Sequence, residues 1–185
     1  GAKTFPLGKT GEGYGFTLAD RHDAEVTPKY GALIVTPGYF QTLGIAFERG
    51  RDFSAAAPAG RHEIVINRAL ARQYWPQSDP LGQRLRFGSG DNATDFEIVG
   101  VVGDVRHAGL GQEPGSAVYV SARDFERSSL TILVRTPVPA ATMFTSLREA
   151  VRVVDPQLPV ANMLAMQTAL DDTLQRPRVL VGLLA

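Results

Sequence analysis

The sequence contains no cysteine. That excludes disulfides, thiolate nucleophiles and cysteine-ligated zinc within it. Histidine is scarce: His22, His62 and His107 stand apart, with no H-x-x-x-H or H-E-x-x-H spacing. Only Lys3, Lys9 and Lys29 are lysines, and basic and acidic residues balance at 19 each. No basic stripe therefore marks a nucleic-acid partner. There is no G-x-x-x-x-G-K-[ST] loop to cradle ATP phosphates and no G-x-S-x-G nucleophile elbow. No apolar run approaches the roughly 20 residues that span a bilayer, and no internal repeat or low-complexity segment is visible. What remains is an ordinary globular composition, 44% hydrophobic and 21% charged over 185 residues, long enough for a real core.

Strands and helices mix along the chain without regular βαβ alternation, which predicts an α+β fold. Phe16–Leu18 and Ala32–Val35 read as strands. Thr36 then reads as an N-cap with Pro37 in the first helical position, opening a short helix that Gly44 ends. Glu63–Ile66 is a buried strand. Asn67 caps the helix Arg68–Trp75, which Pro76 stops. Gln83–Phe87 and Phe96–Val102 form a hairpin with a long tip. Ala117–Val120 and Leu130–Arg135 are further strands, and Val160 begins a short one. The best helical pattern is Ala140–Val154, with Met143, Phe144, Leu147, Ala150, Val151 and Val154 on one core-facing stripe. A second amphipathic pattern covers about 164–175. The strand-rich segment 61–123 predicts its own small sheet, separate from the helix-bearing flanks.

Few residues offer chemistry. Gly11-Glu12-Gly13-Tyr14-Gly15 lacks the third spaced glycine and the strand–helix context of a dinucleotide loop, so it reads as a turn. Asp20-Arg21-His22-Asp23 could hold a metal if folded back on itself, but reads as a solvated loop. Asp104, Arg106 and His107 follow an apolar strand, where enzymes often place catalytic groups. Asp171 and Asp172 are adjacent on a helical pattern and point apart. Trp75 reads as an anchor for a helix end. No residue is assigned a catalytic, cofactor-binding or metal-binding role. The last run, Val179–Ala185, is apolar to its final residue. It reads as the start of a membrane helix, the other reading being a helix docked on the domain's own core.

Several motifs together resemble a known family. They are Val35-Thr36-Pro37-Gly38-Tyr39-Phe40-Gln41-Thr42-Leu43-Gly44-Ile45 with Arg49-Gly50-Arg51-Asp52-Phe53, then Ile64–Ala71 leading to Tyr74-Trp75-Pro76 and Asp79-Pro80-Leu81-Gly82. Ile98–Arg106, Val153-Asp155-Pro156-Leu158-Pro159-Val160 and Arg176-Pro177-Arg178 follow in order. From about residue 30 onward the chain resembles the MacB-like periplasmic core domain of FtsX/MacB-type ABC transporter permeases, nearest to an acidobacterial-type subfamily. The resemblance implies a two-lobed domain. Residues 1–60 and 124–175 would form a porter-like lobe, 61–123 an inserted sabre-like lobe, and 176–185 the start of the next membrane helix. Little of the strand and helix expected ahead of Phe16 is visible, so the porter-like lobe reads as incomplete there.

The resemblance implies a non-catalytic, cofactor-free extracytoplasmic domain that relays ATPase-driven membrane-helix motion into the periplasm. Its implied partners are a cytoplasmic ABC ATPase, a second permease copy, the inner membrane and a periplasmic accessory protein. Lobe hinges are expected near Gly50–Arg61 and Tyr119–Ser129. Two other classes stay open. One is a binding module that captures a peptide, lipid or lipoprotein between lobes, which an apolar groove would favour. The other is a periplasmic enzyme using Asp104, Arg106 and His107, which a pocket with convergent polar groups would favour.

Overall fold

A computed structural model of the chain describes residues 15–19, 21–54, 58, 60–88, 90, 93–105, 114–125, 131–160 and 163–168. Three strands come first: β1 (Phe16–Leu18), β2 (Arg21–Val26) and β3 (Ala32–Val35). Helix α1 (Tyr39–Leu43) and strand β4 (Phe47–Gly50) follow. Strand β5 (His62–Asn67) runs directly into helix α2 (Arg68–Tyr74). Strands β6 (Arg84–Phe87) and β7 (Thr94–Val102) form the expected hairpin. Strand β8 (Val118–Ser121), a 3₁₀ turn (Ala122–Asp124) and helix α3 (Ala140–Val154) complete the described elements.

The fold is α+β, and the chain divides after Leu133 into two compact units. The separate sheet expected for 61–123 is not there. All eight strands among the described residues share one sheet, in the order β2-β1-β6-β7-β5-β8-β3, with β4 also on β7. Burial explains the difference. Glu63–Asn67 in β5 and Ile98–Val102 in β7 are buried without a break, so both faces and both edges of these strands need cover. Strands from the first fifty residues supply part of it. β1 pairs antiparallel with β6, Phe16 opposite Phe87, and β3 pairs parallel with β8, Ala32 opposite Val118. β5 lies parallel to β7, while β6 and β4 take successive stretches of the other edge of β7.

Side-chain alternation sends successive residues to opposite faces. Ile64, Ile66, Ile98, Val118 and Val120 join one core, which α2 covers through Leu70, Ala71, Tyr74 and the anchored Trp75. Val65, Val99 and Tyr119 join the other, with Tyr39 and Phe40 of α1 and with Phe47 and Phe53. The aromatic rings there meet mostly edge-on, with Phe40 and Tyr119 centred 5.0 Å apart.

Several local expectations change. α1 begins at Tyr39, not at Pro37, because Gly38 takes a left-handed φ of 83° that no helix interior accommodates. Thr36 instead accepts the Tyr39 N–H at its carbonyl, closing a turn. The Asp20–Asp23 segment was expected as a loop, but Arg21–Val26 is a strand, at the end of the strand order. Charged residues suit a sheet edge, where they discourage further pairing. β4 was not foreseen either, since Phe47–Gly50 is mostly exposed and gives no apolar run. The expected strand from Leu130 reduces to an isolated bridge at Thr131 among the described residues, and Val160 is not itself in a strand, the two residues after it lying outside the described ones. The turn expected at Gly11–Tyr14 and the apolar run Val179–Ala185 lie outside the described residues, as does most of the 164–175 pattern. No helix among the described residues is long and apolar enough to cross a membrane.

α3 keeps the expected limits but not the expected burial. Met143, Phe144, Leu147 and Val151 are only half-buried, Ala150 is exposed, and Val154 is 83% exposed. The apolar stripe is real, but an amphipathic pattern states which face wants cover and not what covers it. Leu70→Ala, in the closed core under α2, is expected to cost about 2–5 kcal/mol. Leu147→Ala should cost no more than about 1–2 kcal/mol, scaled from the same loss for partial burial. Equal losses in urea unfolding of the two variants would contradict this assignment of the core.

Candidate functional site

Asp104 follows β7 and meets the start of α2. Its Oδ1 accepts the Asn67 side-chain amide at 2.7 Å and the Ala69 N–H at 2.8 Å. Its Oδ2 lies 3.8 Å from Arg68 Nε, a buried atom without a hydrogen-bond partner. The other end of that guanidinium binds Glu48 at 2.5 Å. The Asp104 carboxylate therefore sits where the first turn of α2 presents free N–H groups, a favourable place for negative charge. This is the geometry of a structural anchor. A general base needs a lone pair aimed at a substrate proton, and here Oδ1 already serves two donors of the fold.

Asn67 completes that node. It is fully buried, and its Oδ1 accepts the N–H groups of Leu70 at 3.2 Å and Ala117 at 2.9 Å. Its Nδ2 donates to Asp104 and to the Gly115 carbonyl at 2.9 Å. All four hydrogen-bonding sites of the amide are used. Arg106 and His107, the other members of the sequence-based cluster, lie outside the described residues. His62 sits elsewhere, with Nδ1 2.9 Å from Asp124 Oδ1, and His22 lies on β2. Among the described residues no group of three or more His, Asp or Glu could hold a metal.

A second polar cluster went unread in the sequence. Glu63, only 4% exposed, lies in β5 between two arginines. Arg51 grips it with both terminal nitrogens, at 2.6 and 3.2 Å, and the Ser54 N–H donates to it at 3.0 Å. Arg61 Nε lies 3.8 Å away, and Arg61 also binds Glu97 at 3.2 Å. Burial pushes the Glu63 carboxyl up, but hydrogen bonds from Arg51 and Ser54 and the charges of Arg51 and Arg61 outweigh it. They hold it below the usual carboxylate range. An open pocket of about 550 Å³ borders the cluster, lined by Arg51, Asp52, Phe53, Ser54, Pro58, Arg61 and Glu63. The lone signal in the sequence was a glutamate opening the apolar run Glu63–Ile66, since a buried charge requires a partner.

Two outcomes are expected from these clusters. Asn67→Ala orphans the buried N–H of Ala117 and removes the α2 cap, so chemical denaturation should show a loss of about 3–5 kcal/mol. Glu63 has a lowered folded-state pKa, so its stabilising effect is complete above the unfolded carboxyl pKa and is lost as pH falls through the folded one. The stability gap between the unsubstituted chain and Glu63→Gln should be about 1–3 kcal/mol at pH 7, given the exposed Arg51 partner. It should close as the pH drops below the ordinary carboxylate range, and a gap that stays constant with pH would show that Glu63 is not held ionised by this network.

Comparison with known proteins places this geometry. The sequence profile of the MacB-like periplasmic core domain matches residues 10–152. No curated protein sequence matches the chain. Among solved structures, a permease-protein domain from Porphyromonas gingivalis aligns with a TM-score of 0.52 and 19% identity, over 83% of this chain and 74% of that one. The periplasmic region of MacB from Actinobacillus actinomycetemcomitans aligns at 0.47 with 16% identity, over 78% of this chain and 64% of that one. The extracellular domain of the ABC-type transporter YknZ from Gram-positive bacteria aligns at 0.41 with 19% identity, over 60% and 51%. The first of these likenesses shows a shared fold, and the profile match covers well over half of the sequence. The chain belongs to the family of MacB-like periplasmic core domains of ABC transporter permeases.

Proposed function

We propose that this domain is the extracytoplasmic part of an inner-membrane permease and performs no covalent chemistry of its own. It relays motion of the membrane helices, driven by a cytoplasmic ATPase, to the periplasm. The family match over residues 10–152 carries the reading. Two features of the chain support it. Asp104 is committed to the start of α2. The exposed large hydrophobics Ile132, Val134, Val138, Val153, Val154, Leu158 and Leu164 give the domain apolar surface for contact with a partner. A second permease copy and a periplasmic accessory protein are the partners this reading assigns.

These 185 residues contain no cysteine, so the domain itself offers no competing thiol. Arg148 is exposed on α3, so Arg148→Cys in a full-length permease with any cysteines outside this domain replaced provides a single labelling site. In intact cells with a permeable outer membrane, a maleimide that cannot cross the inner membrane should label it. In the purified permease–ATPase complex, spin labels at this site on two copies should change their separation when ATP replaces ADP. Labelling only after the inner membrane is broken would refute the location. A separation indifferent to nucleotide would refute the relay. Stoichiometric zinc in the purified domain, or a hydrolase turnover abolished by His107→Ala, would refute the non-catalytic assignment.

A further inference from the structure

A hinge was expected near Gly50–Arg61, but the contacts of its first five residues hold them in place. Every residue from Arg51 to Ser54 is fixed to another part of the first unit. The Arg51 N–H donates to the Val99 carbonyl of β7 at 3.0 Å, and its side chain grips Glu63 of β5. Asp52 Oδ2 accepts the N–H of Gly38, the residue that opens α1, at 3.0 Å. Its Oδ1 accepts the Phe53 N–H at 2.7 Å. Phe53 is 5% exposed, with its ring 6.2 Å from that of Phe40. The Ser54 N–H donates to Glu63, and the Ser54 carbonyl faces Arg123 of the 3₁₀ turn at 3.5 Å.

The residue in front is closed in as well. Gly50 has a φ of 72°, and a Cβ there would meet the Val99 carbonyl at 2.2 Å. A hinge needs residues free to absorb a change in φ and ψ. Here the backbone is packed against its neighbour at Gly50, plugged into an aromatic core at Phe53 and hydrogen-bonded at each step between. The second expected hinge begins no more freely, because Tyr119–Ser121 are buried strand residues.

We infer that residues 51–54 form a locked strap, riveted by buried Glu63, that makes α1, β5, β7 and the 3₁₀ turn move as one body. The strap is therefore a stiffening device and not a lobe hinge. Its use in transmitting force rests on the relay proposed above, whereas the strap itself is tested without that reading.

The test is native-state hydrogen exchange, resolved by residue, on the full 185-residue chain. The amides of Arg51, Phe53 and Ser54 should exchange as slowly as those of Ile64 and Val65 in β5, because all open together. In Glu63→Gln, Phe53 and Ser54 should exchange roughly 10- to 100-fold faster than in the unsubstituted chain while the β5 amides keep their relative order, the effect expected when a charge-assisted hydrogen bond is lost. Arg51→Gln, which leaves Glu63 in place, should give the same local acceleration and serves if Glu63→Gln does not fold. Strap amides that already exchange much faster than β5 in the unsubstituted chain would overturn the inference. So would strap amides that stay in step with β5 in the substituted chain. Neither result bears on whether the full permease relays motion, which the nucleotide-dependent separation reads independently.

Discussion

A single buried amide fixes the register of this fold. Asn67 ends the central strand β5, opens α2, and holds both the exit from β7 at Asp104 and the approach to β8 at Gly115 and Ala117. A one-residue slip of β5 against β8 would leave those buried groups unpaired, each at about 1–3 kcal/mol. It would also exchange Ile64 and Ile66 with Val65 between the two cores. The hydrophobic pattern alone resists such a slip only weakly, since β5 is apolar on both faces. Polar satisfaction at Asn67 gives the strand a preferred position that burial cannot.

The charged pairs divide by the same criterion. Arg86 and Asp95 face each other across the β6–β7 hairpin at 2.6 Å, and Arg49 meets Asp79 at the surface. Pairs this exposed are screened by solvent and contribute little. Glu63 differs because its carboxylate is enclosed, and losing Arg51 would strand a charge next to the second core. Removing the partner of an enclosed charge costs more than forming the pair gains. The cluster is thus better understood as a constraint on where 51–54 can lie than as a large source of stability.

Much of the fold was legible in the sequence, for identifiable reasons. The limits of α3 followed from a clean 3.6-residue stripe between Pro139 and Asp155, and the α2 cap from an asparagine ahead of Leu70. The β6–β7 hairpin followed from alternation around a glycine-rich tip. β2 and β4 were missed because strands at or near an edge need little apolar sequence, so Arg21–Val26 and Phe47–Gly50 resemble loops. The single sheet was missed because pairing between residues 16–35 and residues 84–121 is long-range. Local periodicity carries no information about which distant strand completes an edge. The Arg51–Glu63 cluster was illegible for a related reason. Arg51 and Asp52 stood out as family signature residues, but their role depends on a glutamate twelve positions later folding beside them.

Burial is distributed unequally between the two units. The first holds every buried residue among those described, while described residues beyond Leu133 include none. Among the described residues the exposed large hydrophobics all fall between Ile132 and Leu164. A fifteen-residue helix is marginal in water without tertiary packing, and the only cover on α3 among the described residues is the partial burial of its apolar stripe, Phe144 and Leu147 included. The first unit needs nothing further to be stiff, because its sheet, its two cores and its strap close on one another. The second gains stability with each apolar side chain that something else covers. In a relay these properties are complementary. A closed body transmits displacement without absorbing it, and an under-packed one changes its stability, and hence its preferred state, when a neighbour arrives or leaves.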